Sequence, residues 1–213
     1  RIQPIELIFS ILQKHNKSLD AFVSASAVGI YGAITREEIC TENTPAANDF
    51  LGTTCQQWEK AADKIQSLNI RTVKIRTGIV IGRNEGFLKK MNPGFKTGFG
   101  TILGTGKQYL PWIHIEDLAQ IYLKATLDSE MSGPYNATIN DDTTNCSFAK
   151  TLAKLYGYKI WLPRIPAFFL RIVLGEMSQA ILEGQRVSPE KIKKAGFQFE
   201  YTDLKTALSN SIS

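Results

Sequence analysis

The chain is poor in the residues that build metal and redox sites. Its 213 residues include three cysteines and two histidines. Cys40, Cys55 and Cys146 are odd in number and widely spaced, with no Cys-x-x-Cys pair. His15 and His114 lie far apart. No metal site is expected from such a set. Idle or buried thiols fit a reducing compartment, and no signal peptide opens the chain, so a cytoplasmic location is expected. Long hydrophobic runs are also lacking. The most apolar stretch, Ile160 to Leu174, is interrupted by Arg164 and Arg171. It falls short of the ~20 residues a spanning helix needs, so no membrane partner is expected.

What is there is an ordinary globular composition. A hydrophobic fraction of 43% with 10% aromatics excludes a disordered chain. The length suits one domain or two interleaved lobes, with enough core to need no staple. The net charge is +5, and its distribution is uneven. From Arg71 to Lys107 the basic residues are Arg71, Lys74, Arg76, Arg83, Lys89, Lys90, Lys96 and Lys107, against the single acid Glu85. A local basic field concentrates anions. A phosphate-bearing cofactor or a small anionic substrate is one reading, and scattered solvated lysines are the other. No aromatic platform or nucleic-acid motif accompanies the charge, so no nucleic-acid partner is expected.

Periodicity organises the chain. Ile5, Leu7, Ile8, Ile11 and Leu12 recur at helical spacing, and the helix should end near His15-Asn16. Ala21 to Ser24 reads as a short buried strand running into the small-residue turn Ser24 to Gly29. Trp58, Ala61, Ala62, Ile65 and Leu68 mark an amphipathic helix, and Ile70 to Ile75 the next strand. Strand, helix, strand in that order is a βαβ unit with parallel strands. Glycines then punctuate residues 83–107, with room for a short helix at Phe87–Met91. Trp112 to Ile115 should be extended and lead into a helix with Glu116 and Asp117 in its first turn. A strand at Tyr135–Ile139, a helix capped by Ser147, an apolar helix at Pro166–Leu174 and two short terminal helices complete the pattern. Arg1-Ile2-Gln3-Pro4 has no initiator Met and runs straight into a helix, as the middle of a longer protein would.

The run Val23-Ser24-Ala25-Ser26-Ala27-Val28-Gly29-Ile30-Tyr31-Gly32 follows a strand. Ligands of doubly wound sheets bind beyond the carboxyl ends of strands, so Ser24 and Ser26 are candidates for ligand contact; a serine-rich turn without a function is the alternative. This run resembles the serine segment of extended short-chain dehydrogenase/reductases, the NAD-dependent epimerase/dehydratase family. Ile75 to Gly82 is similar to the next strand and nicotinamide-side loop of that family, and Trp112 to Leu118 to its Val-His-Val-x-Asp element. The closest likeness is to the atypical "epimerase family protein" branch. That branch has a C-terminal extension like Gly175-Glu176, Gly184 to Val187, Pro189, Gly196 to Phe199 and Asp203-Leu204, and some members carry a cell-division-inhibitor label.

The resemblance implies an α/β fold: a partial Rossmann-like doubly wound parallel sheet, truncated at its N-terminal side, with a smaller C-terminal α/β substrate lobe. Residues 1–82 and 108–131 would form the core, and 83–107 with 132–213 the lobe. It implies an NAD(P)-dependent nucleoside-diphosphate-sugar epimerase or reductase acting on a carbonyl or hydroxyl group. The competing reading is a non-catalytic dinucleotide-binding or interaction module. Ser26 matches the catalytic Ser. Ser24, Arg76, Thr77, Gly78 and Ile79 would contact the cofactor, NAD or NADP with NADP preferred; a plain ion pair is the other reading of Arg76. Tyr31, His114 and Arg164 would meet the substrate, although in the family this His is usually structural. The helix around Phe168 is either core or a wall of the substrate pocket.

Two departures qualify the likeness. The family opens on a Gly-x-x-Gly-x-x-Gly loop whose amides cradle the pyrophosphate, and nothing like it precedes Ser24. Weak cofactor binding is therefore expected of this chain. Its catalytic Tyr-x-x-x-Lys pair aligns on Leu51 and Cys55, which cannot act as that acid/base pair. The missing leading strands would leave a sheet edge unpaired, so a homo-oligomer is expected.

Overall fold

The computed structural model describes residues 2–83, 86–139 and 142–212. Asn84 and Glu85, the latter the lone acid of the basic stretch, lie outside the described residues. The elements in chain order are α1 (Ile2–Lys14), β1 (Phe22–Ala27), β2 (Ile39–Cys40), α2 (Phe50–Gln66), β3 (Thr72–Thr77), β4 (Ile79–Ile81) and α3 (Gly86–Lys96). There follow β5 (Trp112–His114), α4 (Ile115–Leu127), β6 (Gly133–Ala137), α5 (Asn145–Leu155), α6 (Ala167–Leu174), α7 (Gln179–Leu182), β7 (Arg186–Val187), α8 (Glu190–Lys194) and α9 (Leu204–Ile212).

The central sheet has the order β1-β3-β6 and is parallel throughout. It is the expected Rossmann-like α/β core. One boundary differs. β6 belongs to this sheet rather than to the C-terminal lobe, because Val73 to Thr77 pair along Gly133 to Ala137. Two smaller parallel pairs, β4-β5 and β2-β7, lie outside it. The second ties the polar loop after β1 to the C-terminal segment.

Strand alternation sorts β3 into two faces. Val73 and Ile75 pack with Leu118, Ile121 and Ala125 of α4. Each of the Val, Leu and Ile side chains among them contributes roughly 1.5–3 kcal/mol on burial. Lys74 and Arg76 point the other way, toward α2. Register places Ser24 beside Lys74 and Ser26 beside Arg76, so one face of the sheet is polar over its middle. A further cluster joins α3, α5 and α9 around Trp112, Phe148 and Leu88. Within α3, Leu88 and Phe95 bury in that cluster, and their packing carries the helix through Pro93, past the short span the sequence suggested. The cap of α5 is Thr144 rather than Ser147. Ser147 sits at the third helical position and completes a reciprocal capping box.

The apolar helix α6 lies largely at the surface. Phe168, Phe169, Ile172 and Val173 are exposed, and Leu170 is its buried anchor. At the other end of the lobe, the chain after α7 runs hard against residue 109. A Cβ added at Gly184 would lie 1.9 Å from the Tyr109 carbonyl oxygen, so only glycine permits this approach.

Gly184→Ala should therefore force backbone separation and lower the thermal midpoint by about 2–12 °C. Gly157→Asn, at a left-handed position with open space around it, should shift it by under about 3 °C. Calorimetric melting of both variants checks the pair. An unchanged midpoint for Gly184→Ala would show that the contact yields freely.

Candidate functional site

Burying Lys74 and Arg76 on a sheet face demands counter-charges. The facing helix α2 supplies them one turn apart. Glu59 takes Arg76 in a two-point grip, Oε1 from Nε at 2.8 Å and Oε2 from Nη2 at 2.9 Å. Asp63 takes Lys74 at 2.6 Å. Ser26 Oγ donates to the same Glu59 Oε1 at 2.7 Å. Arg76 Nη1 also donates to the Tyr31 hydroxyl at 3.0 Å and the Glu42 carbonyl at 3.1 Å, while Tyr31 donates to Asn136 Oδ1 at 2.7 Å. Burial pushes the Glu59 carboxyl up, but the hydrogen bonds and charge of Arg76, with Ser26 and Lys74, pull it below its ordinary value overall. Burial raises the Tyr31 phenol to about 12, outweighing the opposing pull of Arg76.

This network corrects several expectations at once. Arg76 forms the ion pair that was the other reading of it, with its charge held by Glu59. Ser26, 3% exposed, spends its hydroxyl on the same carboxylate. Ser24 is buried on the same face, and Tyr31 is locked between Arg76 and Asn136. None of these four lines the cleft at the carboxyl ends of β1 and β3.

His114 is also structural in its contacts. It is 1% exposed and caps α4 through Nδ1, which accepts from the Glu116 amide at 3.4 Å. Its ring stacks on Tyr201 with centroids 3.6 Å apart, and Nε2 meets Ser211 Oγ at 3.3 Å. Arg164 is exposed and donates to the Thr105 carbonyl at 2.8 Å, away from any cavity described here.

The cavity that does sit at the carboxyl ends of β1 and β3 measures about 220 Å³. Val28 and Gly29 come from the 3-10 turn after β1, and Thr77, Gly78 and Ile79 from the turn after β3. Three of the five expected cofactor residues thus meet in one place, the position where parallel sheets bind ligands. Leu51, from the first turn of α2, lines the same cleft. Asp49 sets that helix end: Oδ1 accepts from the Gly52 amide at 2.7 Å and Oδ2 from the Ala33 amide at 2.6 Å. Cys55, one turn deeper, is buried in a small apolar cluster with Ile30 and Val187.

The far wall was not anticipated. It comprises Tyr109, Leu110 and Pro111 with Ala180, Glu183 and Gln185. Glu183 is fixed by Thr35, whose amide and hydroxyl donate to Oε2 at 3.0 and 2.6 Å. The Tyr109 hydroxyl donates to Glu37 at 2.9 Å, which raises its pKa. The one sequence signal for this wall was Gly184-Gln185 within the C-terminal pattern. Among the described residues, no group of three or more His, Cys, Asp or Glu is arranged to hold a metal, and no helix is long and apolar enough to cross a membrane.

Glu59→Gln should strip Arg76 of its counter-charge and cost about 3–5 kcal/mol at neutral pH. Because the Glu59 pKa is lowered in the folded state, its contribution is present above the unfolded value and lost as pH falls through the folded one. Denaturant titrations from pH 7 to pH 2.5 should show the gap between wild type and variant closing below about pH 4.3. A gap independent of pH would mean that the carboxylate charge is not the stabilising element.

Residues 6–138 match the NAD dependent epimerase/dehydratase family, and residues 165–211 match a domain of unknown function, DUF1731. The chain is 38% identical over its full length to epimerase family protein YfhF of Bacillus subtilis, spanning 70% of that protein. It is 35% identical to epimerase family protein ML0860 of Mycobacterium leprae, over 98% of this chain and 67% of that one. Human epimerase family protein SDR39U1, solved with NADPH, superposes with a TM-score of 0.90 at 29% identity, over 99% of this chain and 71% of the human one. A nucleoside-diphosphate sugar epimerase from Corynebacterium glutamicum gives 0.79 at 30% identity, over 100% and 41%. The chain belongs to the NAD dependent epimerase/dehydratase family, with a DUF1731 segment at its C-terminal end.

Proposed function

We propose that this chain carries the nicotinamide and substrate side of an NADP-dependent oxidoreductase acting on a carbonyl or hydroxyl group. One observation carries the reading. The cleft lies where β1 and β3 end, and Thr77, Gly78 and Ile79 meet Val28 and Gly29 there. Those five residues would hold the nicotinamide end of the cofactor. When bound, the cofactor supplies or accepts hydride. The NADPH of the human relative's structure favours NADP over NAD.

The chain's own residues would orient the reacting group and exclude water. Leu51 occupies the place where the family's tyrosine is expected, and Cys55 that of its lysine. Cys55 lies in an apolar cluster, where a lysine would bury its charge. Tyr109 offers a hydroxyl at the cleft, but Glu37 moves it away from the depressed pKa that a proton donor needs. Turnover would therefore be slow, with the proton drawn from water or from the substrate. A dinucleotide-binding protein without catalysis is favoured by the same Leu51 and Cys55. Ser26 is assigned a positioning role, holding Glu59 against Arg76.

α1 packs on α2 through Ile5 and Leu12 and exposes Leu7 and Ile11. That exposed apolar face of α1 is the proposed basis of a homo-oligomer. Sedimentation should give a species larger than a monomer at micromolar concentration, and a clean monomer would refute it.

Calorimetric titration with NADPH should show weak but saturable binding. Gly29→Leu, which fills the cleft beside Leu51 and Cys55, should weaken it about tenfold or more. Ser26→Ala should leave NADPH binding within about twofold while lowering stability by about 1–3 kcal/mol. NADPH binding indifferent to Gly29→Leu would place the cofactor elsewhere. A loss of binding in a folded Ser26→Ala protein would return Ser26 to the site.

A further inference from the structure

The basic stretch led the sequence to an anionic ligand, yet its charges do not reach the cleft. Arg71 donates to the carbonyls of Ala125, Thr126 and Met131. Lys74 and Arg76 are consumed by Asp63 and Glu59. Arg83 lines a separate cavity with Val80 and Ile115. Among the described residues lining the cleft there is no lysine or arginine.

The charge that does line it is negative. Glu183 is in the lining itself, and Glu37 sits on the Tyr109 hydroxyl at 2.9 Å. An adjoining recess shares Tyr109, Leu110 and Pro111 with the cleft and adds Asp142 and Arg186. Those two neutralise each other in a two-point pair, at 2.6 and 2.5 Å. Three carboxylates thus stand against one guanidinium already spoken for. Most of the remaining surface is apolar, from Val28, Leu51, Ile79, Leu110, Pro111 and Ala180, with Thr77 and Gln185 as its polar side chains besides Tyr109. The volume, about 220 Å³, is below the roughly 300–1,000 Å³ of drug-sized sites, so beside a nicotinamide ring it suits one further small ring rather than a sugar nucleotide.

We propose that the cleft accepts a neutral, largely apolar hydroxyl or carbonyl compound of about one ring and discriminates against anions, nucleoside-diphosphate sugars included. The proposal rests on the reading of this cleft as the reaction site. Its physical basis is twofold. Apolar walls reward removal of apolar surface from water. Glu183, held in place by Thr35, repels a second negative charge, and no lysine or arginine among the described lining residues offsets it.

The test uses benzyl alcohol, its anionic analogue 4-(hydroxymethyl)benzoate, and UDP-glucose as probes, with affinities read by ligand-observed NMR. Benzyl alcohol should bind about tenfold more tightly than the benzoate, and UDP-glucose should not compete with it. Glu183→Gln, which keeps the acceptor for Thr35, should narrow the ratio to about threefold or less. Leu51→Trp, or Ala33→Trp if the first does not fold, should abolish binding of both alcohols by filling the cleft. A benzoate that binds as well as benzyl alcohol would overturn the proposal. So would absence of benzyl alcohol binding, competition by UDP-glucose, or binding that survives the tryptophan. NADPH is titrated on the same sample. Failure there, with the alcohol preference intact, would remove the cofactor reading and leave the preference standing. NADPH binding with anion preference would do the reverse.

Discussion

The Glu59–Arg76 pair is the constraint around which this half-sheet is organised. A guanidinium buried on a strand needs a carboxylate at a fixed distance and angle. Meeting that need sets the height and rotation of α2 over β1 and β3. Ser26 and Tyr31 supply the remaining polar contacts, and the 3-10 turn holding Tyr31 is thereby fixed over the end of β1. Val28 and Gly29, the near wall of the cleft, belong to that same turn. The ion pair therefore acts on the cleft without entering it.

Such a pair is weak evidence for net stability, since an apolar replacement of the same volume can do as well. Its value here is geometric. An apolar α2–sheet interface could slide by a residue, whereas Glu59 with Arg76 and Asp63 with Lys74 fix both position and rotation. The arrangement also withdraws cations from the vicinity of the cleft. Of the eight basic residues in that stretch, Lys74 and Arg76 are paired with acids of α2, and the cleft is left mostly apolar with acids at its rim.

Much of the fold was legible because its signals are local. The period of 3.6 in α1 and α2 and the alternation in β3 survive folding unchanged. What escaped depends on contacts between distant residues. Alternation puts Ser24, Ser26, Lys74 and Arg76 on one face, but it cannot say whether that face meets a ligand or a helix. The deciding residue, Glu59, is 33 positions from Ser26 and looks in the sequence like any polar residue of an amphipathic helix. The strand at residues 133–137 was misassigned to the lobe for the same reason: membership of a sheet is settled by β3, some sixty residues earlier. The cleft was half legible. Thr77 to Ile79 follow a strand end, where ligands of parallel sheets bind. Tyr109 and Glu183 reach the site only because Gly184 lets two backbones touch.

The family resemblance and the physical reading diverge at one informative place. Resemblance transferred roles to Ser26, Tyr31 and His114 because the motif residues stand at the expected positions. Each is present, and each is buried with its polar atoms engaged: Ser26 by Glu59, Tyr31 by Arg76 and Asn136, His114 by Glu116 and Ser211. A motif can persist because the backbone around it still needs those contacts. Of the side chains that line the cleft, the resemblance named Thr77 and Ile79 and aligned Leu51 with the family's tyrosine, whereas it passed over Tyr109, Leu110 and Glu183. Chemistry at this cleft must be decided by what it exposes, and it exposes apolar surface with a single carboxylate.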